Sequence, residues 1–195
     1  MNATLIMMDW QEATNDPSLP ERGQHNAEAL AEKLLSHWRE SGAPIIHIRH
    51  DSMNPDSPYA PDKTGNAFMK SLAPLSHETV VEKRTHNAFI GTDLMEALEE
   101  YGTSDLVVCG AHLEYCVEST VRMAGNLGFM VYLAGDACVA MAKLDATGRK
   151  WSPDEVHALT LAVLDGEYAK VVDVEALVGA SADAMANATG SPTLQ

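Results

Sequence analysis

Positive charge is scarce in this chain of 195 residues: 13 Lys and Arg stand against 28 Asp and Glu, a formal net charge of −15 at pH 7. No stretch collects the cations that a phosphate backbone attracts, so neither nucleic acid nor an anionic membrane is an expected partner. Long hydrophobic runs are also missing. None approaches the roughly 18 to 20 apolar residues of a membrane span. The opening MNATLIMMDW lacks the basic start of a secretory signal and runs straight into a strand-like segment. A cytoplasmic location is the expectation. Cysteine is limited to Cys109, Cys116 and Cys138. An odd number cannot all pair internally, no CxxC or Cys/His cluster suggests zinc, and free thiols in a reducing compartment are expected.

What is present is a regular alternation. TLIMMD (4–9), PIIHIR (44–49), TVVEK (79–83), DLVVCG (105–110), MVYLAG (130–135) and KVVDV (170–174) read as six strands. Between them lie helical patterns: Ala27, Leu30, Leu34, Leu35 and Trp38, closed by Gly42; Asp93 to Tyr101; Cys116 to Leu127; and Pro153 to Leu164, with Ser152 as N-cap. Strands alternating with helices argue for a three-layer, doubly wound α/β fold around a parallel sheet. One domain over 1–179 is expected, followed by a small, polar, loosely ordered tail, 180–195. The segment 51–78, rich in Pro, Ser, Asp and Gly, is long enough to be a lid or a contact surface.

Ligands of such sheets bind at the carboxyl ends of the strands. Asp9 closes the first strand, Lys83 closes the third, and Cys116 opens the helix after the fourth. A thiol at a helix N-terminus meets unpaired N–H groups and the positive end of the helix dipole, which favour the thiolate. Each residue has a plainer reading: a turn acid, a solvated edge lysine, a core thiol. Their convergence on one sheet edge is what points to chemistry.

LIMMDWQ with Asp9 and Gln11, WRESGAPIIHIRHDS, VVEKRTHNAFIGTDL with Lys83, and VVCGAHLEYCVESTVRMAGNLGFMVYLAGDACV with Cys116 together resemble the isochorismatase-like cysteine hydrolases. That superfamily includes nicotinamidases and N-carbamoylsarcosine amidohydrolase. The resemblance runs from residue 4 to about 178 and implies a sheet order 3-2-1-4-5-6. It also implies an Asp9-Lys83-Cys116 triad and hydrolysis of a carbon–nitrogen bond in a small amide-like substrate through a thioester, without a cofactor. It implies, further, a cis peptide between Ala111 and His112 that aims the His112 N–H beside that of Cys116 as an oxyanion hole, and assembly into dimers or larger homo-oligomers. Two departures stand out: Leu113 where the family usually has Thr or Ser, and EAT after Gln11. Vinyl-ether hydrolysis without a cysteine nucleophile, a non-catalytic binding or assembly protein, and a redox-sensing thiol remain the alternatives.

Around the triad, Trp10, Gln11, Phe89, Tyr115 and Arg84 are candidate pocket residues, although aromatics near strand ends are commonly plain core. Nicotinamidases carry an Asp-x-His metal set after the second strand. This chain reads HIRHDS there, with His47 and His50 on opposite faces of a strand, so no metal is expected. His47 is assigned a structural hydrogen bond, and His50 a loop or pocket-rim contact. Glu114 and Glu118 flank the nucleophile as candidate helix caps. Cys109 and Cys138 are expected to be buried thiols.

Overall fold

The computed structural model describes residues 3–179. Along the chain run β1 (Thr4–Met8), α1 (Ala27–Ser41), β2 (Ile45–His50), β3 (Thr79–Lys83), α2 (Leu94–Tyr101), β4 (Asp105–Ala111) and α3 (Glu118–Asn126). They are followed by β5 (Met130–Val139), β6 (Lys143–Leu144), β7 (Lys150–Trp151), α4 (Pro153–Leu164), β8 (Lys170–Val172) and α5 (Val174–Gly179). Six parallel strands form one sheet in the order β3-β2-β1-β4-β5-β8. This is the expected order, except that an unforeseen antiparallel ribbon, β6–β7, makes the last sheet strand the eighth in sequence. The expected polar tail, 180–195, lies outside the described residues.

Strand composition follows position. TLIMM of β1 is buried throughout, as befits a central strand covered on both faces. TVVEK of β3 alternates, with Val80 and Glu82 turned to solvent on a sheet edge. From the β1–β4 centre, crossovers leave in opposite directions, and right-handed connections therefore place α1 on one face and α2, α3 and α4 on the other. α1 buries Ala27, Ala31, Leu34, Leu35 and Trp38, and the Trp38 indole donates to the Ala3 carbonyl at 3.0 Å. Gly42 at φ 67° ends it, with N–H bonds from Gly42 to Arg39 and from Ala43 to Trp38. α4 starts at the expected residue, behind a full capping box of Ser152 and Glu155.

Two local departures shape the site. A single π turn, Leu113–Val117, precedes α3, so Cys116 sits inside an irregular turn rather than opening the helix. β5 also runs four residues further than expected; its register against β4 shifts between Val108 and Gly110, and Cys138 lies within it. The longer strand delivers Met141 and Lys143 beyond its end. The direction reversal of the sheet falls between β1 and β4, where an α/β fold opens its crevice.

Candidate active site

Close contact between β1 and β4 brings the two ends of the crevice together. Met8 pairs with Gly110, and a Cβ on Gly110 would stand 2.3 Å from Met8 Cβ and 2.4 Å from its carbonyl oxygen, so only glycine fits there. Asp9 follows Met8 at φ 51°, and His112 follows β4 at φ 56°, ψ 60°. Asp and His enter this left-handed region more readily than most side chains, yet such residues cluster where the surroundings hold them. Among the described residues no peptide bond is cis. The cis bond expected between Ala111 and His112 is therefore absent, and the left-handed His112 turns the chain instead. The His112 carbonyl then accepts the N–H of Tyr115 at 2.9 Å and that of Val117 at 3.4 Å, the second bond being the π-turn spacing.

The structure brings Asp9, Lys83 and Cys116 together. Lys83 leaves β3, two strands from β1, and is fully buried. Its Nζ reaches across β2 to stand 2.8 Å from Asp9 Oδ2, and it donates to Cys116 Sγ at 3.3 Å. Its third contact is His50 Nδ1 at 3.1 Å. His50 is the register partner of Lys83 on β2, so both side chains leave the same face of the sheet. An ammonium has three protons and no lone pair, and here it donates to Cys116 and His50 while its charge pairs with Asp9.

Protonation follows from these contacts. Burial acts to lower the Lys83 pKa, but the charges of Asp9 and Cys116 outweigh it, and the net shift is upward. Burial, joined by the Lys83 charge, pushes His50 down to about 4, which leaves a neutral imidazole whose Nδ1 accepts from Lys83. Burial and the neighbouring Asp9 carboxylate hold the Cys116 thiol well above its usual range, against the pull of Lys83. The expected helix-start lowering of this thiol is thus reversed. Cys116 lies in the π turn and is nearly sealed from water, and desolvation outweighs any dipole contribution.

A cavity of about 340 Å³ opens on the thiol. Asp9, Cys116, His50 and His112 line it together with Leu19, Pro20, Tyr59, Tyr115 and Met141. His86 stacks between His50, at 6.4 Å, and Tyr115, at 5.2 Å, with its Nδ1 3.6 Å from Cys116 Sγ. Lys143 caps the Tyr115 ring at 3.8 Å and pairs with Glu114 at 2.7 Å. The acid next to the nucleophile is therefore neutralised rather than capping a helix. Glu118 pairs instead with Arg122.

Of the residues proposed for the pocket, Tyr115 lines it; Trp10, Gln11, Phe89 and Arg84 do not. Trp10 is wholly buried in the core, Phe89 stacks on Phe129 at 6.2 Å, and Arg84 is exposed. Gln11 works on the backbone: its Oε1 accepts the His50 N–H at 2.8 Å, and its Nε2 donates to the carbonyls of His50, at 3.1 Å, and Asn66, at 2.8 Å. Asp51 is engaged by Arg49 and Asn66, and His47 by Glu78. Cys109 and Cys138 are fully buried thiols. Sequence reasoning missed His86, Tyr59, Met141 and Lys143 because the first three come from irregular segments and Lys143 from a two-residue strand too short to show periodicity.

Comparison with known proteins agrees with this fold. An isochorismatase domain model matches residues 3–176. The isochorismatase family protein YrdC of Bacillus subtilis (strain 168) is 34% identical over 174 residues, which span 89% of this chain and 93% of that protein. A crystal structure from Chromobacterium violaceum ATCC 12472, described as a hydrolase of the isochorismatase family, superposes with a TM-score of 0.88 at 46% identity. It covers 95% of this chain and 94% of its own. Nicotinamidase 3 of Arabidopsis thaliana is 33% identical over 100 residues, 51% of this chain and 45% of that protein.

Proposed function

Because the chain belongs to the isochorismatase family of hydrolases, we propose that it cleaves a carbon–nitrogen bond in a small amide or ureido compound, with Cys116 as nucleophile and Asp9 and Lys83 completing a triad. The observation that carries this reading is the single Lys83 ammonium held 2.8 Å from the Asp9 carboxylate and 3.3 Å from the Cys116 sulfur. A relative named as a nicotinamidase supports the choice of an amide.

In the resting site Asp9 and Lys83 are a charged pair, and the raised thiol keeps its proton. When a carbonyl carbon is presented in the cavity, Asp9 takes the thiol proton and sulfur forms the carbon–sulfur bond. The carbonyl oxygen gains the negative charge, and the backbone N–H groups of His112 and Cys116 are the donors assigned to it. The tetrahedral centre collapses by breaking the carbon–nitrogen bond, and Asp9 returns the proton to the departing nitrogen. Water, deprotonated by Asp9, then cleaves the thioester and restores the thiol. Lys83 keeps its charge throughout and stabilises the carboxylate whenever it is ionised.

The cavity suggests a neutral substrate. Its half-buried cation, Lys143, is already paired with Glu114, and beyond the triad its lining is mostly aromatic and aliphatic, with Ser52 and Ser57 as neutral polar groups. Screening uncharged primary amides and ureido compounds for ammonia release tests the reading. Turnover that disappears in Cys116→Ala, with the fold retained, supports it; retained turnover would move the reaction to a cysteine-free route such as vinyl-ether hydrolysis.

A further inference from the structure

The side chain of His112 takes no part in the steps above, yet it forms one end of a buried relay. His112 Nε2 lies 3.0 Å from the Tyr59 hydroxyl, that hydroxyl lies 3.0 Å from Thr14 Oγ1, and Thr14 donates to the Asp9 carbonyl at 3.4 Å. A carbonyl can only accept, so the direction of the whole chain follows: Thr14 donates to Asp9, Tyr59 to Thr14, and His112 Nε2–H to Tyr59. The relay joins the two left-handed non-glycine residues of the site, Asp9 and His112. His112 Nδ1, the lone-pair nitrogen of this tautomer, is buried without a hydrogen-bond partner, so the ring is anchored through Nε2.

Tyr59 is itself built in. Its carbonyl accepts from Asn66 Nδ2 at 2.9 Å and from the Ser52 N–H at 3.1 Å, its ring meets His50 and His112 edge-on, and it is 5% exposed. Asn66 is in turn held by Gln11. Leu113, next in the chain after His112, is apolar and fully buried, so it offers no polar group to steady the turn. The bracing comes through the His112 ring.

From this geometry we infer that Tyr59 is a positioning residue of the reaction: through His112 it holds the turn whose backbone N–H is assigned to the developing oxyanion, and through Thr14 it couples that turn to Asp9. The long segment 51–78 thereby contributes the strut that sets the oxyanion site. The inference rests on the cysteine-hydrolase reading.

Two reactions of one thiol separate the strut from the nucleophile. Acylation of Cys116 by p-nitrophenyl acetate passes through a tetrahedral oxyanion. Alkylation by iodoacetamide displaces iodide at a saturated carbon and forms none. In Tyr59→Phe the burst of p-nitrophenolate, with acetyl located on Cys116 by mass spectrometry, is expected to slow about tenfold or more, while the alkylation rate stays at its wild-type value and Tm falls only by the few degrees that orphaning one buried donor costs. Thr14→Val, one link further along, is expected to shift the same ratio in the same direction, and serves if Tyr59→Phe does not fold. An unchanged acylation rate, or acylation and alkylation falling in parallel, would overturn the inference. A wild-type protein that gives no burst and no acetyl on Cys116 would overturn the cysteine-hydrolase reading itself, and the inference with it.

Discussion

Lys83 Nζ lies 3.1 Å from Nδ1 of His50, its register partner on the neighbouring strand. A lysine two strands from the carboxylate it serves has to cross the strand between them, and His50 sits on that path. It accepts one ammonium proton, and another goes to Cys116 while the charge pairs with Asp9. His50 can do so only as a neutral imidazole, because a protonated ring would present a second cation to Lys83.

This requirement has a pH signature. The folded-state pKa of His50 is depressed from 6.5 to about 4 by burial and by Lys83, so between those values the unfolded chain binds more protons than the folded one. Its contribution to stability is complete above pH 6.5 and is lost as pH falls toward 4. Urea midpoints measured from pH 8 to pH 4.5 should therefore decline below about 6.5. His50→Ala should flatten part of that decline. The remainder belongs to His47 and His112, which burial shifts in the same direction, and, toward pH 4.5, to Glu78, which Arg39 holds down to about 2 against burial. At pH 8 the same variant leaves a buried ammonium proton unsatisfied and should cost about 1–3 kcal/mol.

Lys83→Met keeps the length of the side chain and removes its charge. Asp9 is then a buried carboxylate without a cation, and a loss of about 3–5 kcal/mol is expected from denaturant unfolding. Adding Asp9→Asn removes the orphaned charge, so the double variant should recover much of that stability while remaining inactive. Costs of the two single variants that simply add would contradict a coupled pair.

Asp9→Asn alone separates thiol acidity from catalysis. Asp9 raises the Cys116 pKa by its charge, whereas Lys83 lowers it. Without the carboxylate the thiol should ionise at lower pH, so the iodoacetamide alkylation profile of Cys116 should move to the acid side while turnover is abolished. A profile that stays in place or moves to higher pH would contradict the assigned electrostatics.

Gly110→Ala tests the close approach of β1 and β4. The new Cβ would meet Met8 Cβ at 2.3 Å and Met8 O at 2.4 Å, and backbone on a central strand cannot yield cheaply. Destabilisation of about 1–3 kcal/mol or more is expected, with turnover falling further than stability because Asp9 and Cys116 are forced apart. Kinetics and a denaturation curve on one preparation decide it.

Much of this arrangement was legible in the sequence for physical reasons. Apolar runs of strand length alternating with helical stripes specify a parallel sheet, and strand ends marked by Asp9 and Lys83 locate its functional edge. Gln11 was also singled out, although its role is to clamp the His50 backbone rather than to touch a ligand. Side-chain direction just beyond a strand end has no periodicity to reveal it. Trp10 and Phe89 therefore turned into the core, while Tyr59 and His86, from irregular segments, turned into the cavity. The π turn and the left-handed His112 were hidden for the same reason: the pattern 116–127 specifies a helix but not how the chain enters it. The raised Cys116 thiol follows from burial, a tertiary property that position at a helix start does not encode.

The account stands most directly on whether Cys116 carries the acyl group during turnover. A primary amide or ureido substrate found by ammonia release should be mixed with the enzyme, quenched in acid during steady turnover, and digested for peptide mass analysis. The acyl mass is expected on the peptide containing Cys116, absent from those containing Cys109 and Cys138, and removed by added hydroxylamine as the hydroxamate. Sustained turnover with Cys116 unmodified at every time point, together with activity in Cys116→Ala, would contradict it.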